Sequence, residues 1–196
     1  MIRNQIKPAI IMTIVLTLAT GIIYPLVVWA IAQIAFPAQA NGSIAMRDGR
    51  PVGSTLIGQN FDADMYFHPR PSAAGDKGYD AANSGGSNLG PTNKSLIDDV
   101  RSRIAAEAKL DGPIASPGVP ADLVTASASG LDPEITPASA ELQVARVARA
   151  RGIGEDAIRA IVSQNTRQRW AGVLGEPGVN VLSVNLALDR LAKAPR

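Results

Sequence analysis

Residues Pro8 to Phe36 read PAIIMTIVLTLATGIIYPLVVWAIAQIAF, and no charged residue occurs between Lys7 and Arg47. A helix advances about 1.5 Å per residue, so roughly 20 apolar residues cross the hydrocarbon core of a bilayer. This run is longer than that, which leaves room for tilt. Everything after it is polar enough to remain in water. The chain therefore reads as a short N-terminus, residues 1–7, a membrane-spanning helix, residues 8–36, and one soluble domain, residues 37–196.

Flanking charge sets the expected orientation. Arg3 and Lys7 precede the span, and no Lys or Arg follows it until Arg47. The positive-inside rule places the N-terminus in the cytoplasm and the domain outside. Trp29 and Phe36 lie toward the far end, where an interfacial aromatic belt belongs, whereas Tyr24 is too central. Ala38-Gln39-Ala40 fits the small-x-small pattern of a signal-peptide cleavage site. A signal h-region, however, is only about 7–15 residues long, so the length of this run favours a retained anchor. Cysteine is absent, and a domain of about 150 residues can bury a core without disulfides.

The charge balance removes one inference. The sequence has 19 basic and 17 acidic residues and a formal charge of +2. Arg3 and Lys7 account for the whole surplus, since every acidic residue lies at or beyond Asp48. The domain is neutral, and no arginine cluster interleaved with aromatics points to nucleic acid.

Within the span, Ala9, Thr13, Thr17, Gly21 and Pro25 recur every four residues and form a slowly drifting stripe of small side chains. Such stripes let helices approach closely in lipid, which makes Thr13, Thr17 and Gly21 candidates for docking against a partner helix. The plainer account is that Ala, Thr and Gly are common in spans. Pro25 is expected to kink the helix.

Beyond the membrane, Asn41-Gly42-Ser43 is a turn signal. Val52 to Ile57 is a short β-capable run, and Asp62 to Pro91 has the composition of an ordered loop. Thr92 or Asn93 caps a helix to about Leu110, with Leu96, Ile97, Val100 and Ile104 on one face. Asp111 to Pro120 reads as a linker. Thr136-Pro137 opens another helix and Gly152 closes it, with Leu142, Ala145 and Ala148 as its apolar face. A third runs from Glu155 to about Asn165 on Ile158, Ile161 and Val162. The last runs from about Leu182 to Ala192 on Leu186, Leu188 and Leu191, after a turn at Gly175 to Gly178. The expected class is α+β, α-rich, with a small β element and long ordered loops.

Chemistry is sparse. Gly85 and Gly90 have the glycine spacing of a P-loop, but Pro91-Thr92 stands where the phosphate-binding Lys and its Ser/Thr are required. Ser84 to Thr92 then reads as a glycine turn. Thr125 to Pro133, with small hydroxyls beside glycine, is faintly similar to nucleotide-binding signature loops and equally compatible with a close-packed turn before Pro133. His68 is the only histidine, so a zinc site is not expected. A hydrolase using His68 with Ser72 or Ser84 lacks the G-x-S-x-G elbow. An aromatic, proline-rich neighbourhood better suits a packed loop.

Several blocks resemble the C-subunit family of the bacterial Kdp potassium-transporting ATPase. They include Thr20 to Pro25, Gln39 to Ser43, Gly53 to Phe61, Tyr66 to Ala73, Ser84 to Leu89, Val119 to Asp132, Val179 to Leu182 and Asn185 to Asp189, in order over nearly the whole chain. Two departures stand out. Family members often read Asp-Pro-His where this chain has Asp132-Pro133-Glu134, and often carry a basic residue where it has Gly178, so no role of those residues transfers.

The resemblance implies a non-catalytic accessory subunit of a high-affinity potassium-uptake complex. Its partners would be a potassium-binding subunit and an ATP-hydrolysing P-type subunit. Families of this kind are described as catalytic chaperones that raise the ATP affinity of the ATPase subunit; ATP thus enters only by family attribution, and no cofactor of its own is expected. A periplasmic domain cannot touch cytosolic ATP, so either coupling passes through the membrane subunits or the orientation is reversed. The alternatives are an anchored hydrolase and a generic anchored binding module.

The two Gly- and Ser-rich loops supply the remaining docking candidates: Ser84, Gly85, Gly86, Ser87 and Asn88 in the first, Ser127, Ser129, Gly130 and Asp132 in the second. If they form a docking surface, Gly86→Val or Ser129→Leu should spare the melting temperature of the isolated domain.

Overall fold

The computed structural model describes residues 2–112 and 118–193. It divides into two compact parts, Met1–Ile44 and Ala45–Arg196.

The first part is a helical rod. Helix α1, Ile2–Leu18, continues through a π-helical turn, Ala19–Ile23, into α2, Tyr24–Ala35, followed by the short α3, Pro37–Ala40. The helix thus begins ahead of Pro8 and includes Arg3 and Lys7. Arg3–Ala35 is long and apolar enough to span a membrane, and none of it is buried.

Just ahead of Pro25, where a kink is expected, lies the π turn. Proline has no N–H, and its ring collides with the carbonyl four residues back, here that of Gly21. The wider turn relieves this, with the Tyr24 N–H donating to the Ala19 carbonyl five residues back. Thr20 Oγ1 donates to the Leu16 carbonyl at 2.7 Å alongside it.

The second part is α-rich with two small sheets. Strands β1, Ile44–Arg47, and β2, Arg50–Ser54, form a two-stranded sheet. Asp48 and Gly49 join them with φ of 51° and 76°, as a two-residue hairpin turn requires. The strand expected over Val52 to Ile57 therefore starts earlier, and Thr55 to Ile57 turns away. Helix α4, Lys94–Leu110, begins at Asn93, whose side chain accepts from the Ser95 N–H at 2.8 Å. Of the linker that follows, residues 113–117 lie outside the described residues. A short helix α5, Ala121–Val124, comes next.

The core is built from β3, Glu134–Ile135; α6, Pro137–Arg151; α7, Glu155–Gln164; β4, Thr166–Arg167; β5, Gly178–Asn180; and α8, Val181–Lys193. β5 is the central strand, antiparallel to both neighbours, with Ile135 opposite Val179 on one side and Thr166 opposite Val179 on the other. Phe67, Ile135, Val144, Val147, Ile158, Val179, Val184 and Leu188 pack into one cluster. Thr136 caps α6 through Ser139, and Asp122 braces that cap, accepting from the Thr136 N–H at 2.7 Å and Ser139 Oγ at 2.6 Å. Gly152, at φ 65°, ends the helix.

Two apolar faces differ from expectation. On α6 the inward stripe is Ala140, Gln143, Val144, Val147 and Ala148, whereas Leu142 is half-buried and Ala145 exposed. On α8 it is Val181, Val184, Asn185 and Leu188, while Leu191 is exposed. Both inward faces contain a carboxamide, and those carboxamides organise the long loop.

Candidate docking surface

The loop from Asp62 onward has no strand partner, so its backbone polar groups need side chains. Asn185 of α8 accepts from the Phe67 N–H at 2.8 Å and donates to the Phe67 carbonyl at 2.9 Å. Gln143 of α6 does the same for His68, at 2.7 and 3.2 Å. Two buried amides thereby imitate a strand ladder. Arg146 donates to the carbonyls of Asp64 and Tyr66 at 2.7 and 2.9 Å and to Asp111 Oδ1 at 2.7 Å. Arg151 reaches the Met65 carbonyl at 2.6 Å and Asp189 at 2.9 Å, and Asp189 also accepts from Arg47 and Tyr66.

His68 belongs to this clamp. Its Nε2 lies 3.2 Å from the Ala63 carbonyl and 3.4 Å from Arg146 Nη1. Burial, followed by the Arg146 charge, lowers its pKa, so the ring is held neutral. Ser72 lines the same open depression, but its hydroxyl donates to the Gly130 carbonyl at 2.6 Å and accepts from the Tyr79 N–H at 2.8 Å. Ser84 Oγ donates to the Ser129 carbonyl at 3.0 Å. Both serines entertained as nucleophiles are thus spent on joining loops, which removes the basis for the hydrolase alternative. Among the described residues no group of His, Asp and Glu is arranged to hold a metal ion.

The structure brings the two Gly- and Ser-rich loops together. The Gly85 N–H donates to the Ser129 carbonyl at 2.9 Å. A Cβ on Gly86 would stand 2.9 Å from the Ala128 carbonyl oxygen, and one on Gly130 would stand 2.6 Å from the Gly85 oxygen and 2.7 Å from Ala74 N. These glycines permit one backbone to lie against another within the domain. Gly86→Val therefore strikes the loop junction and cannot serve as a neutral surface probe. Asp132 is similarly committed, receiving Arg70 at 2.8 Å and the Glu134 N–H at 3.0 Å, and Ser127 is buried. Ser84, Ser87, Asn88 and Ser129 remain exposed, beside an open depression lined by Leu56, Ile57, Ala128 and Leu131. Thr13, Thr17 and Gly21 are exposed along the helical rod.

Residues 6–190 match the family model described as KdpC, the K+-transporting ATPase c chain. The chain belongs to the KdpC family. Among its relatives, a potassium-transporting ATPase KdpC subunit of Polaromonas naphthalenivorans is 55% identical over 189 residues, covering 96% of each chain. That of Gemmatimonas aurantiaca is 57% identical, covering 96% of this chain and 94% of the relative. That of Rhodospirillum rubrum is 56% identical, covering 95% of each.

The KdpC match takes in the helical rod and the domain together. A KdpC chain is a c subunit, and the geometry above fits an accessory chain: its polar residues are consumed in ordering loops. Sequence reasoning passed over two features. The amide and arginine clamp of Gln143, Arg146, Arg151 and Asn185 was hidden because each sits in a helix whose apolar letters drew attention elsewhere. The exposed loop around Trp170 was read only as a turn at Gly175, although a Trp followed by Gly172 and Gly175 in a polar segment was a usable signal.

Proposed function

We propose that this chain is the single-span accessory subunit of an ATP-driven potassium-uptake complex in a cell inner membrane, with its N-terminus in the cytoplasm and its domain in the periplasm. The observation that carries this reading is the KdpC match over residues 6–190, which joins the span and the domain in one subunit type. Relatives named as potassium-transporting ATPase subunits support potassium as the transported ion. The partners are a potassium-binding subunit and an ATP-hydrolysing subunit; this chain has no cofactor of its own. Any effect on ATP affinity passes through the membrane subunits, because the orientation that Arg3 and Lys7 favour separates the domain from cytosolic ATP.

Docking uses the outward residues Ser84, Ser87, Asn88 and Ser129 with the apolar depression beside them, while Gly85, Gly86, Ser127, Gly130 and Asp132 hold that surface in shape. In the membrane, Thr13, Thr17 and Gly21 form the lateral contact. Affinity purification in mild detergent from potassium-limited cells tests the assignment, and two large membrane subunits are expected with this chain. Their absence would overturn it. In the same assay, Thr17→Leu with Gly21→Leu is expected to reduce recovery of those subunits without preventing membrane insertion.

A further inference from the structure

We propose that Glu107 and Asp111, the carboxyls at the C-terminal end of α4, form a site for one shared proton, and that its occupancy decides whether this end of α4 stays docked on α6. The site belongs to the domain alone and does not depend on which subunits the chain contacts. Asp111 is the residue that points to a ligand. Its side chain is 0% exposed, and its Oδ1 accepts from Arg146 Nε at 2.7 Å. Its Oδ2 is buried too, with no hydrogen-bond partner among the described residues. Leaving a buried carboxylate oxygen in that state is costly.

Glu107 stands four residues earlier, on the same face, within hydrogen-bonding reach of Asp111. Two carboxylates offer each other only acceptors. One proton between them gives Oδ2 its donor and removes a contact between like charges. A metal ion does not suit the place, because the Arg146 guanidinium already holds Asp111. From α6 the pair meets only that arginine, whose other donors go to the Asp64 and Tyr66 carbonyls and to Gln143. The long loop brings neutral His68 and Asp62 to the open depression that Glu107 lines, together with Arg70, Lys77 and Tyr79. Arg103 of α4 lines it as well, while α5 contributes Leu123. An ionised Glu107 is therefore drawn toward the water and cations of this depression, away from Asp111.

The attachment of α4 is suited to such control. The helix has no buried residue, so polar links matter to it: Asp111 to Arg146, and Arg103 to the Val124 carbonyl at 3.0 Å. Loss of the proton leaves two negative charges on one arginine and weakens the first link. The docked end keeps its proton up to about pH 7, whereas an undocked end releases it above 4.5. Docking is thus favoured in acid and lost as pH rises through about 7. Between pH 5 and 8 these values allow a change of up to roughly 70-fold in the docking equilibrium. Solvent screening at the half-buried Glu107 reduces it, so about tenfold is expected. Protonation of His68, with its pKa below 6.5, opposes docking at lower pH by setting a charge beside Arg146.

The chain has no cysteine, so Ala105→Cys in α4 and Gln164→Cys in α7, both at exposed positions, place two nitroxide labels on the full-length chain in detergent. Pulsed electron paramagnetic resonance is expected to give one distance near pH 6 and a second population above about pH 7, their ratio shifting about tenfold by pH 8. Glu107→Gln stays neutral and still donates to Asp111, so it should keep the single distance at pH 8. Infrared difference spectra of the unlabelled chain should show a protonated carboxyl that titrates away through about pH 7 and is missing from Glu107→Gln. Distances that do not change with pH, the same pH response in Glu107→Gln, or no protonated carboxyl near pH 6 would each overturn the proposal.

Discussion

Glu107 lies one helical turn before Asp111 at the end of α4, and the two carboxyls share one side of the Arg146 clamp. Burial, and then the Asp111 charge, push the Glu107 pKa from 4.5 up to about 7, against a smaller opposing pull from Arg146. A protonated Glu107 can donate to Asp111, whose Oδ2 has no other hydrogen-bond partner among the described residues. The folded chain therefore keeps a proton that the unfolded chain releases above pH 4.5, and this contribution to stability is lost as pH rises through about 7. Glu107→Gln keeps the neutral form throughout. Its melting temperature should match the unsubstituted chain near pH 5 and exceed it at pH 8, by thermal unfolding in paired buffers. His68 acts with the opposite sign, since its lowered pKa costs stability as pH falls below 6.5. Comparing variants at one pH cancels that term. Arg146→Leu strands the fully buried Asp111 side chain and should cost about 3–5 kcal/mol, read from the urea midpoint.

At the scale of elements, the loop junction offers a sharp contrast between neighbouring glycines. Gly130 has φ 66° and backbone atoms of Gly85 and Ala74 where a side chain would go, whereas a Cβ on Gly85 meets nothing within 4 Å. Gly130→Ala should therefore destabilise by at least about 1–2 kcal/mol from the left-handed conformation alone. Gly85→Ala should stay within about 0.5 kcal/mol. Equal losses in differential scanning calorimetry would mean that the loops do not meet as described. The helix ends were legible because capping is local chemistry: Asn93 opens α4, Thr136-Pro137 opens α6 and Gly152 closes it. The expected run at Val52 overlaps β2, Arg50–Ser54, but the strands of the core sheet were not legible. β3 and β4 have two residues each, too few for an alternation to show, and they exist because β5 lies between them.

At the scale of the molecule, orientation is the open variable that charge addresses. Arg3 and Lys7 are expected to hold the N-terminus inside, so protease added to intact spheroplasts should cleave the domain beyond Arg47. Cleavage only after lysis would reverse the topology and bring cytosolic ATP within reach of the domain. The same reversal would leave the contacts within the domain untouched, because they are internal to it.

The sequence by itself determined the membrane-compatible helix, the main helices with their caps, the α-rich class and the KdpC resemblance. Each of these depends on residues close together in the chain, or on blocks read in order. Tertiary structure alone decided that Gln143 and Asn185 order the Phe67–His68 backbone, that Gly86 and Gly130 face backbone of the opposite loop rather than open surface, and that Trp170 stays in water. Those outcomes depend on which groups meet across gaps of 40 to more than 100 residues, as in Ser84 with Ser129 and Phe67 with Asn185. No periodicity or propensity records such a meeting, because the hydrogen bond exists only once the core has brought both ends together.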